Sequence, residues 1–232
     1  MSSQRQAPLP LDLPSRAALG RGDFFVAEAN AMAVAQVDGW RSWPGGKLVL
    51  AGPRGSGKTH LAHVWSAESG ALIVSAGDLA GSDIPRLTRR ALCVENVDRI
   101  AGDPEAEEAL FHVHNLALAE RQPLLMTAAS PPSNWGITLP DLASRMMGTQ
   151  VARLSKPDDQ LLTAVLAKLF ADRQIVPALD VIPYLVRHMR RSFDMAGQIV
   201  SALDQAALGT PKGVTRSLAR RVLVEIDPPD AP

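Results

Sequence analysis

Between Gly45 and Ser155 apolar residues come in short, nearly unbroken runs: KLVLAG (47–52), ALIVSA (71–76), ALCVEN (91–96), PLLMTAA (123–129) and QVARLS (150–155). Runs of this length without polar alternation read as strands buried on both faces. Helical segments separate them, at 58–68, around 84–90, at 105–120 and at 140–147. Strand–helix alternation of this kind predicts an α/β fold built on a covered parallel sheet.

Past Ser155 the period changes. The run PDDQLLTAVLAKLFADRQ opens on a helix-start signal and places Leu161, Leu162, Val165, Leu166, Leu169 and Phe170 on one helical face. The same spacing recurs at Val181, Ile182, Leu185, Val186 and Met189, at Met195, Ile199, Val200 and Leu203, and at Leu218, Val222 and Leu223. Four helices without strands predict a small all-α domain. Residues 1–16 hold three prolines and no periodicity, and the chain closes on DPPDAP, so both ends read as tails.

Composition narrows the function classes. In 232 residues, 24 basic and 24 acidic side chains cancel, which argues against a strongly electrostatic binder of nucleic acid or membrane. Direct DNA binding is therefore not expected. Cys93 is the one cysteine, so an intrachain disulfide and a multi-cysteine zinc site are excluded, and a reducing, cytoplasmic setting fits. No apolar run approaches the roughly 20 residues of a membrane span.

The chemistry concentrates in Gly52-Pro53-Arg54-Gly55-Ser56-Gly57-Lys58-Thr59, a full match to G-x-x-x-x-G-K-[ST] between a predicted strand and a predicted helix. Glycines let backbone amides converge on phosphate oxygens, and the helix N-terminus adds favourable partial charge. Lys58 is expected to reach the β- and γ-phosphates, and the Thr59 hydroxyl to ligate Mg²⁺. On the strand ending LCVENVD, Glu95 stands where P-loop ATPases hold the magnesium shell, and Asn96 stands where a water-polarising acid often follows. A carboxamide accepts no proton, so a weak intrinsic ATPase is expected. Asp98 is an acid two residues on, but strand alternation leaves its placement open.

With these residues in place, the chain resembles the DnaA/Hda family of AAA+ proteins over about residues 4 to 226, and more closely its Hda-type regulators. FFVAEANAMA (24–33) is similar to the family's adenine-side motif, with Val26 within it, and GSGKTHL matches its P-loop, including His60. CVENVDRIAGDPEAEEALFHVHN (93–115) is the most regulator-like run, and LPDLASRM (139–146) resembles the segment that supplies an arginine at a subunit boundary. The resemblance implies an AAA+ P-loop ATPase base with a parallel five-stranded sheet (15–154) and a small helical lid (155–226). A clamp-binding tail (1–14) would precede them and a disordered tail (227–232) would follow.

The resemblance also implies ADP or ATP with Mg²⁺ as cofactors, and Arg145 as a finger acting on the nucleotide of a partner subunit. Thr127, on the fourth strand, would be a polar sensor of the γ-phosphate. QAPLPLDL resembles the family's peptide for the DNA polymerase III β sliding clamp, with Gln6, Leu9, Pro10 and Leu11 as contacts. The proline would pre-extend that peptide and lower its ordering cost. DnaA is the second implied partner: a clamp-docked regulator promotes hydrolysis of DnaA-bound ATP and restrains replication initiation. A homo-oligomer belongs among the expected assemblies. The chain stops near the fourth lid helix, so no DNA-binding helix-turn-helix domain is expected after it. Competing readings are an autonomous ATPase and an initiator or helicase-loader type ATPase that acts on DNA.

One departure stands out. Counting back from ALDQ puts Gly197 where the family carries a nucleotide-sensing arginine, which leaves Arg190 or Arg191 as substitutes. Elsewhere, His112 and His114 do not share a helical face and are not expected to bind metal. Arg86, Arg89 and Arg90, like Arg187, Arg190 and Arg191, read as solvated clusters, and Trp40, Trp43 and Trp135 carry no interpretable spacing.

Overall fold

A computed structural model describes residues 25–208 and 213–228. The candidate clamp peptide, with Gln6, Leu9, Pro10 and Leu11, lies outside the described residues.

Among the described residues, strands β1 (Lys47–Ala51), β2 (Leu72–Ser75), β3 (Leu92–Glu95), β4 (Leu124–Ala128) and β5 (Val151–Arg153) form one parallel sheet in the order β2-β3-β4-β1-β5. The continuous apolar runs are explained by burial on both faces. Alternate residues point to opposite sides of a strand. Thus Val49, Ala51, Leu92, Val94, Leu124 and Met126 enter one core, while Leu48, Leu50, Cys93 and Leu125 enter another. The edge strand β2 departs from the expectation: Leu72, Ile73 and Val74 are only half-buried and Ser75 is exposed. An edge has one neighbour strand and correspondingly less cover.

Helices α1 (Glu28–Asp38), α2 (Lys58–Ser69), α3 (Ile84–Leu87), α4 (Pro104–Ala119) and α5 (Pro140–Met147) surround the sheet. The first core takes Leu110 and Val113 from α4 and Leu142 and Met146 from α5; the second takes Val34 and Val37 from α1 and Leu61 and Trp65 from α2. Trp43, unreadable by spacing, stacks on Trp65 with centroids 5.4 Å apart. Helix α1 gave no periodic signal because alanine occupies much of EANAMAVAQVD. Its start is set by Asn30, which accepts the Ala27 amide at 2.8 Å and donates to the Phe25 carbonyl at 2.9 Å.

Four further helices, α6 (Asp159–Asp172), α7 (Val181–His188), α8 (Phe193–Ala207) and α9 (Arg216–Ile226), pack around a third core. Leu162, Leu166, Phe170, Leu185, Ile199 and Val222 belong to it, as the helical period predicts. Asp158 caps α6 through the Leu161 amide at 2.7 Å, and Ser192 and Thr215 cap α8 and α9. No helix among the described residues is long and apolar enough to cross a membrane.

Candidate phosphate-binding site

The loop from Gly52 to Gly57 joins the carboxyl end of β1 to the start of α2, where ligands bind in open α/β sheets. Glycine is required at three of its positions. Gly55 and Gly57 have φ of +74° and +92°, the left-handed region that side chains disfavour. A Cβ at Gly52 would stand 2.6 Å from the Leu154 carbonyl oxygen, so the chain approaches there too closely for any side chain.

Lys58 curls over this loop and donates to the carbonyls of Gly52 at 2.7 Å and Pro53 at 2.9 Å. Burial pushes its ammonium below the ordinary 10.5, a loss opposed by Asp98, Asp194 and Glu95. Three carboxylates, from the segment after β3, from α8 and from β3 itself, thus bear on one lysine. Asp98 and Asp194 were not legible as site residues. Asp98 follows a turn rather than a strand: the chain leaves β3 at Asn96, whose φ of 58° and ψ of 43° are left-handed. That turn brings the Asp98 Oδ2 within 3.0 Å of the Ala129 amide, just past β4.

The sequence-derived residues fall into three groups. Gly52, Gly55, Ser56, Gly57, Lys58, Thr59, Glu95 and Thr127 gather at the carboxyl ends of β1, β3 and β4. Thr127, in register with Leu50, is buried, and its hydroxyl accepts the Asn96 amide at 3.2 Å. His60 lies half-buried in the first turn of α2. Val26 is 54% exposed beside Phe25, just before α1. Arg145 lies apart, exposed in the last turn of α5 and without an ion pair among the described residues. Its carbonyl is bonded by Lys47, at the opposite end of β1 from the loop. Five strand residues separate those ends by roughly 16 Å. The geometry therefore keeps Arg145 away from this chain's own loop.

Two polar atoms argue for a ligand. Ser56 Oγ and Glu95 Oε1 are buried without a hydrogen-bond partner. Each orphan costs about 1–3 kcal/mol, and such groups need an explanation. A phosphate oxygen and a hard divalent cation would supply it: Ser56 and the loop amides suit an anion, and Glu95 with Thr59 offers the oxygen donors that Mg²⁺ takes. Clusters of three or more His, Cys, Asp or Glu fit to hold a metal alone are absent among the described residues. His112 pairs loosely with Glu108, while His114 is buried against Lys47. Cys93 is fully buried, and its thiol is raised well above the usual range, first by burial and then by Glu95.

The four-helix unit, the expected lid, meets the loop directly. The Phe193 amide donates to the Gly55 carbonyl at 2.9 Å, and a Cβ on Gly55 would fall 1.9 Å from Ser192 Oγ. Gly197 faces open space, with nothing within 4 Å of its Cβ position. The candidate substitutes are engaged elsewhere: Arg190 with Asp227 and Arg191 with Asp159. Contact between lid and loop thus runs through the start of α8 rather than through a lid arginine.

No family model matches the chain. Among solved structures, domain III of the Thermotoga maritima replication initiation protein DnaA has a TM-score of 0.78 at 17% identity, covering 96% of this chain and 100% of that one. AMPPCP-bound DnaA from Aquifex aeolicus has a TM-score of 0.67 at 18% identity, covering 80% and 65%. The Thermotoga maritima RuvB Holliday junction branch migration motor has a TM-score of 0.61 at 18% identity, covering 79% and 64%. The chain spans 65% of the length of that longer DnaA structure. These likenesses establish the fold: an α/β arrangement matching those DnaA and RuvB structures, with a parallel five-stranded sheet followed by a four-helix unit.

Proposed function

We propose that this chain is a DnaA-related AAA+ regulator whose own nucleotide sets its conformation and whose catalytic effect falls on a partner. ADP or ATP with Mg²⁺ is held by the Gly52–Thr59 loop and Glu95, with Thr127 near the terminal phosphate and Val26 on the base side. The N-terminal peptide around Gln6, Leu9, Pro10 and Leu11 docks on the β sliding clamp. Arg145 then reaches the ATP of DnaA and promotes its hydrolysis, which restrains replication initiation. The observation that carries this reading is the separation of parts. The phosphate loop is complete but is followed by the carboxamide of Asn96, while an exposed arginine, without an ion pair among the described residues, stands far from it on α5. A guanidinium in that position acts across a subunit boundary, where such fingers are worth about 10³–10⁵ in rate.

The test is reconstitution of DNA-loaded clamp, ATP-bound DnaA and this chain, with phosphate release as readout. The intact chain is expected to accelerate hydrolysis, and Arg145→Ala or removal of residues 1–13 to abolish the acceleration. No acceleration by the intact chain overturns the proposal.

One observation favours a second reading, an autonomous ATPase. Asp98 contributes the largest attractive field on Lys58 among the three carboxylates, so an acid does stand near the site. Brisk turnover by the isolated chain, lost in both Lys58→Ala and Asp98→Asn, would establish that reading and displace the first.

A further inference from the structure

Against the carboxyl end of the helix that carries Arg145 lie two buried titratable groups that the nucleotide site does not use: Lys47, the first residue of β1, and His114, in α4. The Lys47 ammonium stands 2.8 Å from His114 Nε2 and 3.2 Å from the Arg145 carbonyl. That carbonyl lacks its helical donor. The amide four residues on, of Thr149, bonds the Met146 carbonyl instead at 3.0 Å. Lys47 and the Thr149 hydroxyl, the latter at 2.9 Å, supply the missing hydrogens. The last turn of α5 thus ends on two side-chain bonds at Arg145.

One of those bonds depends on a third group. Neutral His114 accepts from Lys47 through Nε2, whereas the protonated ring presents an N–H there, a donor facing a donor. The surrounding charge sharpens the conflict. Lys47 from β1 and Arg145 from α5 are the charged groups that face the ring, and Asn115 on its own helix is the neutral one, 3.2 Å from Nδ1. No carboxylate among the described residues pairs with Lys47, Arg145 or His114. Burial holds the ring below its ordinary 6.5, and Lys47 and Arg145 act in the same sense against the support of Asn115. Glu107, at the other end of α5, titrates below 4.5 and stays ionised while the ring changes charge.

We propose that Lys47 is a positioning residue for Arg145 and that His114 is its proton-sensitive latch: the neutral ring holds Lys47 on the Arg145 carbonyl, and protonation of the ring releases Lys47 and loosens the last turn of α5. This inference rests on the role proposed above for Arg145, a finger that acts on a partner's nucleotide. A guanidinium aimed at a phosphate in another subunit relies on its own backbone for aim, and a misplacement of about 1 Å can cost about 100-fold in rate. The output of the regulator is therefore tied to pH. It is full where the ring is neutral and is lost as pH falls through the folded value of His114.

Two measurements on the full chain test the latch. Hydrogen exchange at the amides of Gly148 and Thr149, which bond Ser144 and Met146, reads the last turn without any partner. Protection, corrected for intrinsic exchange, is expected to fall about tenfold in the parent between about pH 7.5 and 5.5. It should stay level in His114→Gln, whose side-chain carbonyl still accepts from Lys47, and be low at both pH values in Lys47→Met. The second measurement is acceleration of ATP hydrolysis in DnaA on DNA-loaded clamp, taken as the ratio of His114→Gln to parent so that the partners' own pH dependence cancels. That ratio is expected to rise at least threefold on acidification. Lys47→Met should lower the maximal acceleration about tenfold and leave the half-maximal concentration unchanged. Should Lys47→Met fail to fold, the two His114→Gln comparisons decide alone. Level protection in the parent overturns the inference, as does a level ratio while the parent accelerates hydrolysis. Protection that falls in the parent alone, with no acceleration by any variant, supports the latch and overturns the finger.

Discussion

Lys47 donates from its ammonium to the backbone carbonyl of Arg145 at 3.2 Å, at the carboxyl end of α5. At the other end, the fully buried Glu107 accepts the amides of Thr138 at 3.0 Å and Leu139 at 2.7 Å, together with the Thr138 hydroxyl at 2.9 Å and the Gly102 amide at 2.7 Å. The helix that carries Arg145 is thus held between a carboxylate at its positive end and an ammonium at its negative end, the favourable sense for both. Neither clasp is at the phosphate loop. Their effect is to fix where the Arg145 backbone sits.

Removing the carboxylate should be costly. Glu107→Ala takes the acceptor from the amides of Gly102, Thr138 and Leu139, in two segments, and a loss of about 3 kcal/mol is expected. Glu107→Gln keeps one carbonyl acceptor and should lose less. Urea unfolding of the two variants checks the order. Equal stability of all three proteins would show that water replaces the clasp.

Acid should weaken the other clasp. His114 is held below its ordinary 6.5, first by burial and then by Lys47 and Arg145, despite support from Asn115. Lys47 donates to its Nε2 at 2.8 Å, so the proton of the neutral ring belongs on Nδ1, facing Asn115 Oδ1 at 3.2 Å. Below 6.5 the unfolded chain takes up a proton that the folded chain refuses. Stability is therefore complete above that pH and falls as pH drops toward the folded value. Glu107, also held low because its hydrogen bonds outweigh burial, adds a second loss below its ordinary 4.5. Unfolding midpoints across pH 7.5 to 5 should decline in the parent and stay flatter in His114→Gln, which keeps an acceptor for Lys47.

Much of this was legible in the sequence, and what was missed has physical reasons. The strands announced themselves because burial on both faces demands unbroken apolar runs, and the loop because its glycines have no substitute. The lid helices followed from their period. Helix α1 was hidden because alanine offers no contrast between faces. Asp98 was hidden because alternation assumes a straight strand, and Asn96 turns the chain. Asp194 and Ser192 reach the loop, and Glu107 reaches Thr138 and Leu139, across 31 residues or more, and no spacing rule reaches that far. For Arg145 the sequence offers only the resemblance; nothing in its local pattern distinguishes a partner-facing arginine from a solvated one.

The loop's orphaned atoms predict opposite signs for stability and binding. Ser56→Ala removes a buried hydroxyl that has no partner, so the nucleotide-free protein is expected to gain about 1 kcal/mol. Its affinity for ADP should fall, and Lys58→Ala should lower that affinity about a hundredfold. Glu95→Gln should leave binding in EDTA unchanged and remove the enhancement by Mg²⁺. Thermal melts and calorimetric titrations with and without the cation read all three. A Ser56→Ala protein that is less stable without nucleotide would indicate that the hydroxyl is satisfied by the protein itself.

The contact between Gly55 and Ser192 lets the coupling of lid and loop be measured directly. Gly55→Ala has two costs: left-handed backbone, worth about 1–2 kcal/mol for a residue with a Cβ, and collision with the Ser192 side chain. Only the second is shared with the lid. Ser192→Gly removes the obstructing side chain but also the cap that receives the Met195 amide at 3.3 Å, a loss of a few tenths of a kcal/mol at an N-cap. If the start of α8 rests on the loop as described, the double variant should be less destabilised than the two single changes added together. The interaction term should amount to about 1 kcal/mol or more. Strict additivity would mean that the lid moves off the loop at little cost, and the nucleotide would then be sensed without α8. The same cycle run on ADP affinity separates the cases: coupling that appears in binding as well as in unfolding places the start of α8 in the path by which the nucleotide sets the position of the lid.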